Sequence, residues 1–85
     1  MNISIEYCME SNYEIRALGL RNSLDSKFGI LAEMRPSSGG VFEVTLNGSL
    51  IFSKKQLGRV PNNGEIVTFI EDLLKVIFLL VSIPK

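Results

Sequence analysis

The sequence predicts an α/β fold with the element order β-α-β-β-β-α, in which two helices accompany a mixed four-stranded sheet. Three observations support this prediction: an alternating apolar segment that gives way to a helical period, an Asn-Gly pair between two β-prone segments, and a second helical period near the C-terminus. The 85 residues suit one domain, residues 1–85, and the 46% hydrophobic content is typical of a globular protein.

The first two elements are indicated by a change of period. Polar and apolar residues alternate over residues 2–7, which predicts a strand. From Ser11 onward apolar residues recur every three or four positions, which predicts an amphipathic helix. The apolar face of this helix consists of Tyr13, Ala17, Leu20, Leu24 and Phe28. We expect a side-chain oxygen of Ser11 or Asn12 to cap the helix and Gly29 to end it.

The next three elements complete the predicted sheet. Residues 30–35 form a second, less clearly patterned strand, and residues 36–40 form a loop of turn-forming residues. Residues 41–46 and 49–53 flank Asn47-Gly48, a pair that is typical of a type I′ hairpin turn. A helix between the first two strands implies that they run parallel, so the hairpin adds antiparallel strands.

The C-terminal part is predicted to be a polar loop over residues 54–61 followed by a helix. Asn62 and Glu65 have the spacing of a capping box. One face of this helix is apolar and consists of Ile66, Phe69, Ile70, Leu73, Leu74 and Ile77. The two helices either cover one face of the sheet or flank it, which gives a two-layer or three-layer sandwich.

Charge and composition exclude several classes of function. Nine basic and nine acidic residues give a formal net charge of zero without a basic stripe, which argues against nucleic-acid binding. With no His and a single Cys, neither a metal site nor an intramolecular disulfide is expected. The N-terminus lacks the pattern of a signal peptide, and no segment is long enough for a transmembrane span, so a cytoplasmic, reducing location is expected.

The single thiol, Cys8, follows the first strand directly. Backbone N–H groups and the dipole at a helix N-terminus favour a thiolate, whereas the charge of Glu10 opposes it. Ser11 stands three residues later, where a dithiol oxidoreductase carries its second sulfur. Cys8 and Ser11 are therefore the candidate catalytic residues.

Four segments together resemble the selenoprotein W family, also called the Rdx family, of thioredoxin-like proteins. They are Tyr7-Cys8-Met9-Glu10-Ser11-Asn12-Tyr13, Gly40-Val41-Phe42-Glu43-Val44, Asn47-Gly48 and Ile51-Phe52-Ser53-Lys54-Lys55. The resemblance runs from about Ile3 to about Leu74 and implies a thioredoxin-like fold with a redox motif in the first β-α loop. It implies a glutathione- or thioredoxin-linked oxidoreductase in which Cys8 is the attacking thiol.

Ser11 is the important departure from that family, because it occupies the place of the selenocysteine or resolving cysteine. Chemistry that needs two thiols therefore does not transfer to this chain. No proline stands directly before Val41, where thioredoxin itself carries a cis-proline, and Pro36 lies too early. The family tends to have a glycine-containing segment there, so this absence agrees with the resemblance.

Two functions follow from a motif with one sulfur. In the first, Cys8 forms a mixed disulfide with glutathione or a protein thiol, with glutathione as a co-substrate and no bound cofactor. In the second, Cys8 is a small buried residue, and the protein is an interaction module that has lost redox activity. Whether the chain is an enzyme is left open between them.

Further candidates surround the motif and the C-terminus. Met9, Glu10, Gly39 and Gly40 are candidate substrate-binding residues, because glycine lets a bound backbone approach, although loop flexibility explains the glycines equally well. Lys54 and Lys55 could steer an anionic ligand, but protection of a sheet edge is the favoured interpretation. Glu43 is expected to face solvent or the helix-free face of the sheet, and the two tyrosines are expected to pack in the core.

The segment over residues 76–81 is apolar on all sides. It either folds back into the core or forms a surface for a homodimer or another protein partner. The residues of that surface are Val76, Ile77, Phe78, Leu79 and Leu80.

Overall fold

The computed structural model describes residues 1–10 and 12–82, with the side chains of that part up to residue 80. The elements in chain order are β1 (Ile3–Cys8), α1 (Tyr13–Phe28), β2 (Glu33–Ser37), β3 (Phe42–Leu46), β4 (Ser49–Ser53), α2 (Lys54–Leu57) and α3 (Glu65–Ser82). The expected order of strands and long helices is confirmed. The one-turn helix α2 is an addition, because residues 54–57 were expected to lie in a loop.

The four strands form one mixed sheet in the order β2-β1-β3-β4. β1 and β2 are parallel, while β1 pairs with β3, and β3 with β4, in antiparallel fashion. Asn47 and Gly48 have φ values of 51° and 83°, so the predicted turn with two left-handed residues is confirmed. This turn is also fixed to the start of β1, because the N–H of Asn47 donates to the carbonyl oxygen of Asn2 at 2.7 Å.

The second strand begins later than the sequence suggested. We expected residues 30–35 followed by a loop from Pro36, whereas β2 is Glu33–Ser37 and includes Pro36. Gly29 ends α1 in a left-handed conformation, as predicted, and the residues after it lead the chain into the strand. A proline is tolerated in β2 because β2 is an edge strand, where one side needs no backbone donor.

One face of the sheet carries the hydrophobic core, and both long helices contribute to it. The core consists of Ile3, Ile5, Tyr7, Ala17, Leu24, Ala32, Phe42, Val44, Leu46, Phe52, Ile66 and Ile70. The alternate residues of β1 and β3 are polar and half-buried, and the hydroxyls of Ser4 and Thr45 are hydrogen-bonded there. The structure is therefore a two-layer sandwich, the first of the two arrangements that the sequence left open.

The N-termini of the two long helices, α1 and α3, differ in detail from the expected caps. Asn12 is the N-cap of α1, but its side chain makes no capping bond, and its carbonyl oxygen accepts the N–H of Arg16 at 3.2 Å. Ser11, the other candidate cap, lies outside the described residues. At α3 the Glu65 carboxylate accepts the N–H of Asn62 at 2.9 Å, which is the reciprocal half of the predicted capping box.

Helix α3 extends beyond the end of α1. Lys27, in the last turn of α1, forms an ion pair with Glu71 at 3.2 Å, so more than two turns of α3 follow this contact. Its core-facing residues are Ile66 and Ile70, whereas Phe69 and Ile77 of the predicted apolar face are 46% and 45% exposed. That part of the prediction was wrong: Ile77 lies in the overhang, which no element in the described structure is long enough to cover, and Phe69 lies before the overhang on a side of α3 that the core does not reach.

The exposed side chains at the end of α3 form what we call the helix tip. These residues are Val76, Ile77, Phe78, Leu79 and Leu80, and they are 45–70% exposed. The alternative in which this segment folds back into the core is therefore excluded for these five residues. In the part of the chain that the structure describes, no helix has the length and hydropathy needed to cross a membrane.

Candidate functional site

The candidate site lies at the edge of the sheet where the two parallel strands end. Cys8 is the last residue of β1, and its register partner is Ser37, the last residue of β2. Helix α1 begins shortly after this point. In α/β sheets the carboxyl ends of parallel strands are the usual place for ligands. The topology therefore brings the thiol to the edge of the sheet where a functional site is expected.

Backbone hydrogen bonds hold the start of the motif between two strands. The N–H of Cys8 donates to the carbonyl oxygen of Val41 at 2.9 Å, and the N–H of Met9 donates to the carbonyl oxygen of Ser37 at 3.1 Å. One bond reaches the start of β3 and the other the end of β2. The backbone around the sulfur is thus fixed on both sides before the chain leaves the sheet.

The residues of the motif differ sharply in exposure. Cys8 is 2% exposed, whereas Met9 is 61% exposed and Glu10 is also exposed. Ser11, the second candidate catalytic residue, lies outside the described residues. A disulfide can react with Cys8 only if its sulfur approaches the thiol directly, so a reaction requires a local movement that exposes the thiol.

The helix begins later than the motif suggested. The sequence placed Cys8 at a helix N-terminus, whereas α1 starts at Tyr13 and four residues lie between them. The reason is that Cys8 is still hydrogen-bonded within the sheet and extended. The thiol is better described as the end of a strand than as part of the first turn of a helix.

Gly39 and Gly40 shape the turn that precedes β3. Their φ values are 78° and 70°, a left-handed conformation that side chains other than glycine rarely adopt. This turn positions the next residue, Val41, so that its carbonyl oxygen accepts the Cys8 N–H. The geometry accounts for both glycines by the turn itself, and their role in substrate binding remains a prediction.

Lys54 and Lys55 have different environments. Lys55 is exposed, which agrees with protection of the sheet edge. Lys54 is half-buried, and its Nζ lies 5.6 Å from the centre of the Tyr13 ring. The same atom lies 3.8 Å from the position that a Cβ on Gly40 would occupy. Only Lys54 therefore places its charge beside the segments that flank Cys8.

Glu43 is a residue whose role the sequence reasoning missed. It lies on the helix-free face, one of the two positions that we expected, and there its carboxylate accepts the Ser53 hydroxyl at 2.5 Å and the N–H of Lys54 at 2.7 Å, which the sequence did not predict. The Ser53 hydroxyl oxygen in turn accepts the N–H of Gln56 at 3.2 Å. Glu43 and Ser53 thus cap α2 together and fix the backbone of Lys54.

The register that creates this cap depends on an irregularity in the hairpin. Thr45 pairs with Leu50, but Val44 pairs with Phe52, so β4 contains one extra residue at this point. Without the bulge, Glu43 would lie opposite Phe52. The capping role of Glu43 could therefore be recognised only from the pairing of the strands, because the spacing of residues in the sequence does not reveal the bulge.

A row of aromatic rings connects the site to the start of α3. The Phe42 ring makes edge-to-face contacts with Tyr13 and with Phe52, each with a centroid distance of 6.5 Å. The guanidinium of Arg59 lies 5.5 Å from the centre of the Phe52 ring and forms two hydrogen bonds with Glu65, at 2.8 and 3.0 Å. The hydrogen bonds from Arg59, together with the N–H of Asn62, lower the pKa of Glu65 to about 2.

Comparison with known proteins identifies the family of this chain. A sequence model of the Rdx family matches residues 2–72, most of the chain. The chain belongs to the Rdx family. The resemblance carried by the motif around Cys8 and by the β3–β4 hairpin is thereby confirmed.

Solved structures confirm the thioredoxin-like fold of this Rdx-family chain. A selenoprotein W-related protein from Vibrio cholerae is 31% identical, with a TM-score of 0.74 over 85% of this chain and 94% of that protein. A protein from Bordetella parapertussis is 27% identical, with a TM-score of 0.75 over 84% of this chain and 94% of the other.

The chain is also similar to longer proteins. It is 32% identical over 68 residues to migration and invasion enhancer 1 of Bos taurus and of Mus musculus, which covers 79% of this chain. The match spans 59% of the length of those relatives. The family match ends at residue 72, so the helix tip lies beyond the part of the chain that the family accounts for.

Proposed function

We propose that this Rdx-family chain is a single-thiol redox protein of the cytoplasm, in which Cys8 exchanges with glutathione or with a protein thiol. The thiolate of Cys8 attacks one sulfur of a disulfide, a new sulfur–sulfur bond forms, and the old bond breaks. The released thiolate takes a proton from solvent. A second thiol later attacks the mixed disulfide and restores Cys8, so every oxidising equivalent comes from the incoming disulfide.

The observation that carries this proposal is the position of Cys8. It ends the central parallel strand at the sheet edge where ligands bind, and two backbone hydrogen bonds fix the segment. In our proposal the serine at position 11 cannot resolve a disulfide, because it has no sulfur. The mixed disulfide therefore persists until an external thiol arrives, and dithiol reductase activity is weak or absent.

The other candidate site residues would contact the incoming disulfide. Met9 and Glu10 are exposed and follow Cys8 directly in the chain, so a disulfide that reaches the sulfur from this side would contact them. Gly39 and Gly40 form the turn on the β3 side of Cys8, where the lack of a side chain leaves the backbone open to a bound peptide. In this proposal glutathione is a co-substrate and not a resident cofactor.

The burial of Cys8 requires a local opening, and the experiment tests that step. Native protein is incubated with oxidised glutathione, and the intact mass is followed with time, with Cys8→Ser as the control. We expect one glutathionyl adduct on the wild-type chain and none on the variant.

The rate is then measured in low concentrations of urea to identify the opening. Local opening exposes little surface, so the rate should change only weakly with urea. A rate that rises as steeply as global unfolding would mean that Cys8 reacts only in the unfolded chain, and this result would contradict the proposal.

A second candidate function is favoured by the helix tip, namely an interaction module. We propose that a second copy of this chain covers the tip. Phe69 and the five tip residues are 45–70% exposed, and a second copy can cover the side of the tip that faces it. The groove formed by Phe28, Leu74 and Ile77 beside the tip can receive the partner helix.

Self-association is tested by sedimentation velocity over a wide range of protein concentrations. We expect a dimer whose population rises with concentration and is lost in Phe78→Glu. A monomer at every concentration would exclude the dimer. Cys8 lies near the start of α1, whereas the tip extends beyond its end, so dimer formation and thiol exchange use opposite ends of the molecule.

A further inference from the structure

We propose that Lys54 selects carboxylate-bearing disulfides for exchange at Cys8. In this inference the Lys54 ammonium binds a carboxylate of the incoming molecule, as in a glutathione-type peptide, while Cys8 attacks its sulfur. The inference rests on the thiol exchange proposed above and adds the class of substrate and the residue that recognises it.

The Lys54 ammonium lies close to the two chain segments that flank Cys8. Lys54 Nζ lies over the ring of Tyr13, the first residue of α1, and beside Gly40. Tyr13 follows the connection that leaves Cys8, and Gly40 precedes Val41, whose carbonyl oxygen accepts the Cys8 N–H. The two contacts place the charge beside both segments that border the thiol.

The Lys54 side chain is held in place while its charge remains available to a ligand. Glu43 binds the backbone N–H of Lys54, which fixes the start of α2. The ring of Tyr13 attracts the ammonium without neutralising it. The ion pairs found among the described residues use Lys27, Arg35 and Arg59 as cations and not Lys54. An arriving carboxylate therefore meets a positioned positive charge that is not already paired with an acid.

The motif around Cys8 itself carries a negative charge. Glu10 is exposed two residues after Cys8 and repels anions from the path to the sulfur. An anionic disulfide needs a cation at the same edge to offset this repulsion. Lys55 carries the same charge as Lys54 but is exposed and lacks the contact with Tyr13, so it provides a matched control within the chain.

The experiment compares two reagents that alkylate the same sulfur and differ in charge, anionic iodoacetate and neutral iodoacetamide. The ratio of their rate constants cancels the opening of the site and the thiolate fraction, which are common to both. For an assumed separation of about 7 Å between the ammonium and the reacting carboxylate, Coulomb's law changes this ratio about three- to sevenfold at effective dielectric constants of about 40–80. We expect Lys54→Gln to lower the ratio by this factor and Lys55→Gln to leave it nearly unchanged.

Two further measurements complete the test. Lys54→Arg retains the charge and should retain the ratio. Added salt should lower the ratio of the wild-type chain toward that of Lys54→Gln, which tests the inference on a chain whose fold is unaltered. An unchanged ratio in Lys54→Gln, an equal loss in Lys55→Gln, or a wild-type ratio that is insensitive to salt would each overturn the inference.

The outcomes also separate this inference from the function on which it rests. Native wild-type protein that forms no adduct with oxidised glutathione, yet shows the Lys54-dependent alkylation ratio, would remove the exchange function and leave the anion-attracting cation. Exchange that proceeds equally fast with oxidised glutathione and with cationic cystamine would retain the function and remove the selectivity.

Discussion

Replacing Glu43 by alanine removes the carboxylate that joins β3 to the start of α2. The carboxylate accepts the Ser53 hydroxyl and the N–H of Lys54, at 2.5 and 2.7 Å, and Ser53 is 3% exposed. Hydrogen bonds to a charged group contribute about 1.5–3 kcal/mol each, and a buried donor left without a partner costs about 1–3 kcal/mol. Because the carboxylate is only partly buried, we expect the free energy of unfolding to fall by about 2–3 kcal/mol.

Urea denaturation followed by far-UV circular dichroism measures this loss, and Glu6→Gln is the control. Glu6 lies directly opposite Glu43 in the β1–β3 pair, where two like charges destabilise a sheet. Removing the Glu6 charge should therefore leave the stability unchanged or raise it slightly. A loss below about 0.5 kcal/mol in Glu43→Ala, the size of an ordinary surface substitution, would refute the capping argument.

Three other predictions follow from the structure. The pKa of Glu65 is about 2 in the folded chain and 4.5 ordinarily, so its stabilising contribution is complete above pH 4.5 and is lost as the pH falls toward 2. When the free energy of unfolding is measured from pH 5 down to pH 2, Glu65→Gln should lose less stability than the wild-type chain. Ile70→Ala, at a side chain that is 0% exposed, should lower the free energy of unfolding by about 2–5 kcal/mol, measured in urea, and a smaller loss would place Ile70 outside the core. Ser11→Cys should form an intramolecular disulfide with Cys8 after oxidation, detected as the loss of two free thiols, whereas two thiols that stay free would mean that the motif no longer has the geometry of a dithiol site.

Local patterns determine which parts of the fold are predictable from the sequence. The turn at Asn47-Gly48, the end of α1 at Gly29 and the buried face of α1 each depend on residues close together in the chain, and the structure has all three. The start of β2 depends on which residues pair with β1, and this pairing includes Pro36, which the sequence placed in a loop. The residues 54–57 become helical because Glu43 reaches them across the sheet.

In the candidate site, too, some features follow from local sequence patterns and others depend on contacts between distant parts of the chain. The place of Cys8 between the first strand and the first helix follows from the change of period in the sequence. Its backbone is held by carbonyl oxygens of Ser37 and Val41 from the neighbouring strands, and no local pattern identifies these partners. Lys54 and Lys55 are equivalent in sequence and differ only after the hairpin bulge and the Glu43 cap have oriented the backbone that carries them.

Burial of the thiol and selection by charge are linked in this site. A sulfur that is 2% exposed reacts slowly with any disulfide that does not stay nearby, because the sulfur must become exposed while the reagent is present. A cation beside the opening raises the local concentration of anionic disulfides and not of neutral ones. The same burial that protects Cys8 from general oxidation thus makes its reactivity depend on what binds next to it. If Lys54 provides that binding, its selectivity does not depend on how often the sulfur becomes exposed, so a glycine substitution at exposed Met9 should raise the rates with iodoacetamide and with iodoacetate by the same factor and leave their ratio unchanged.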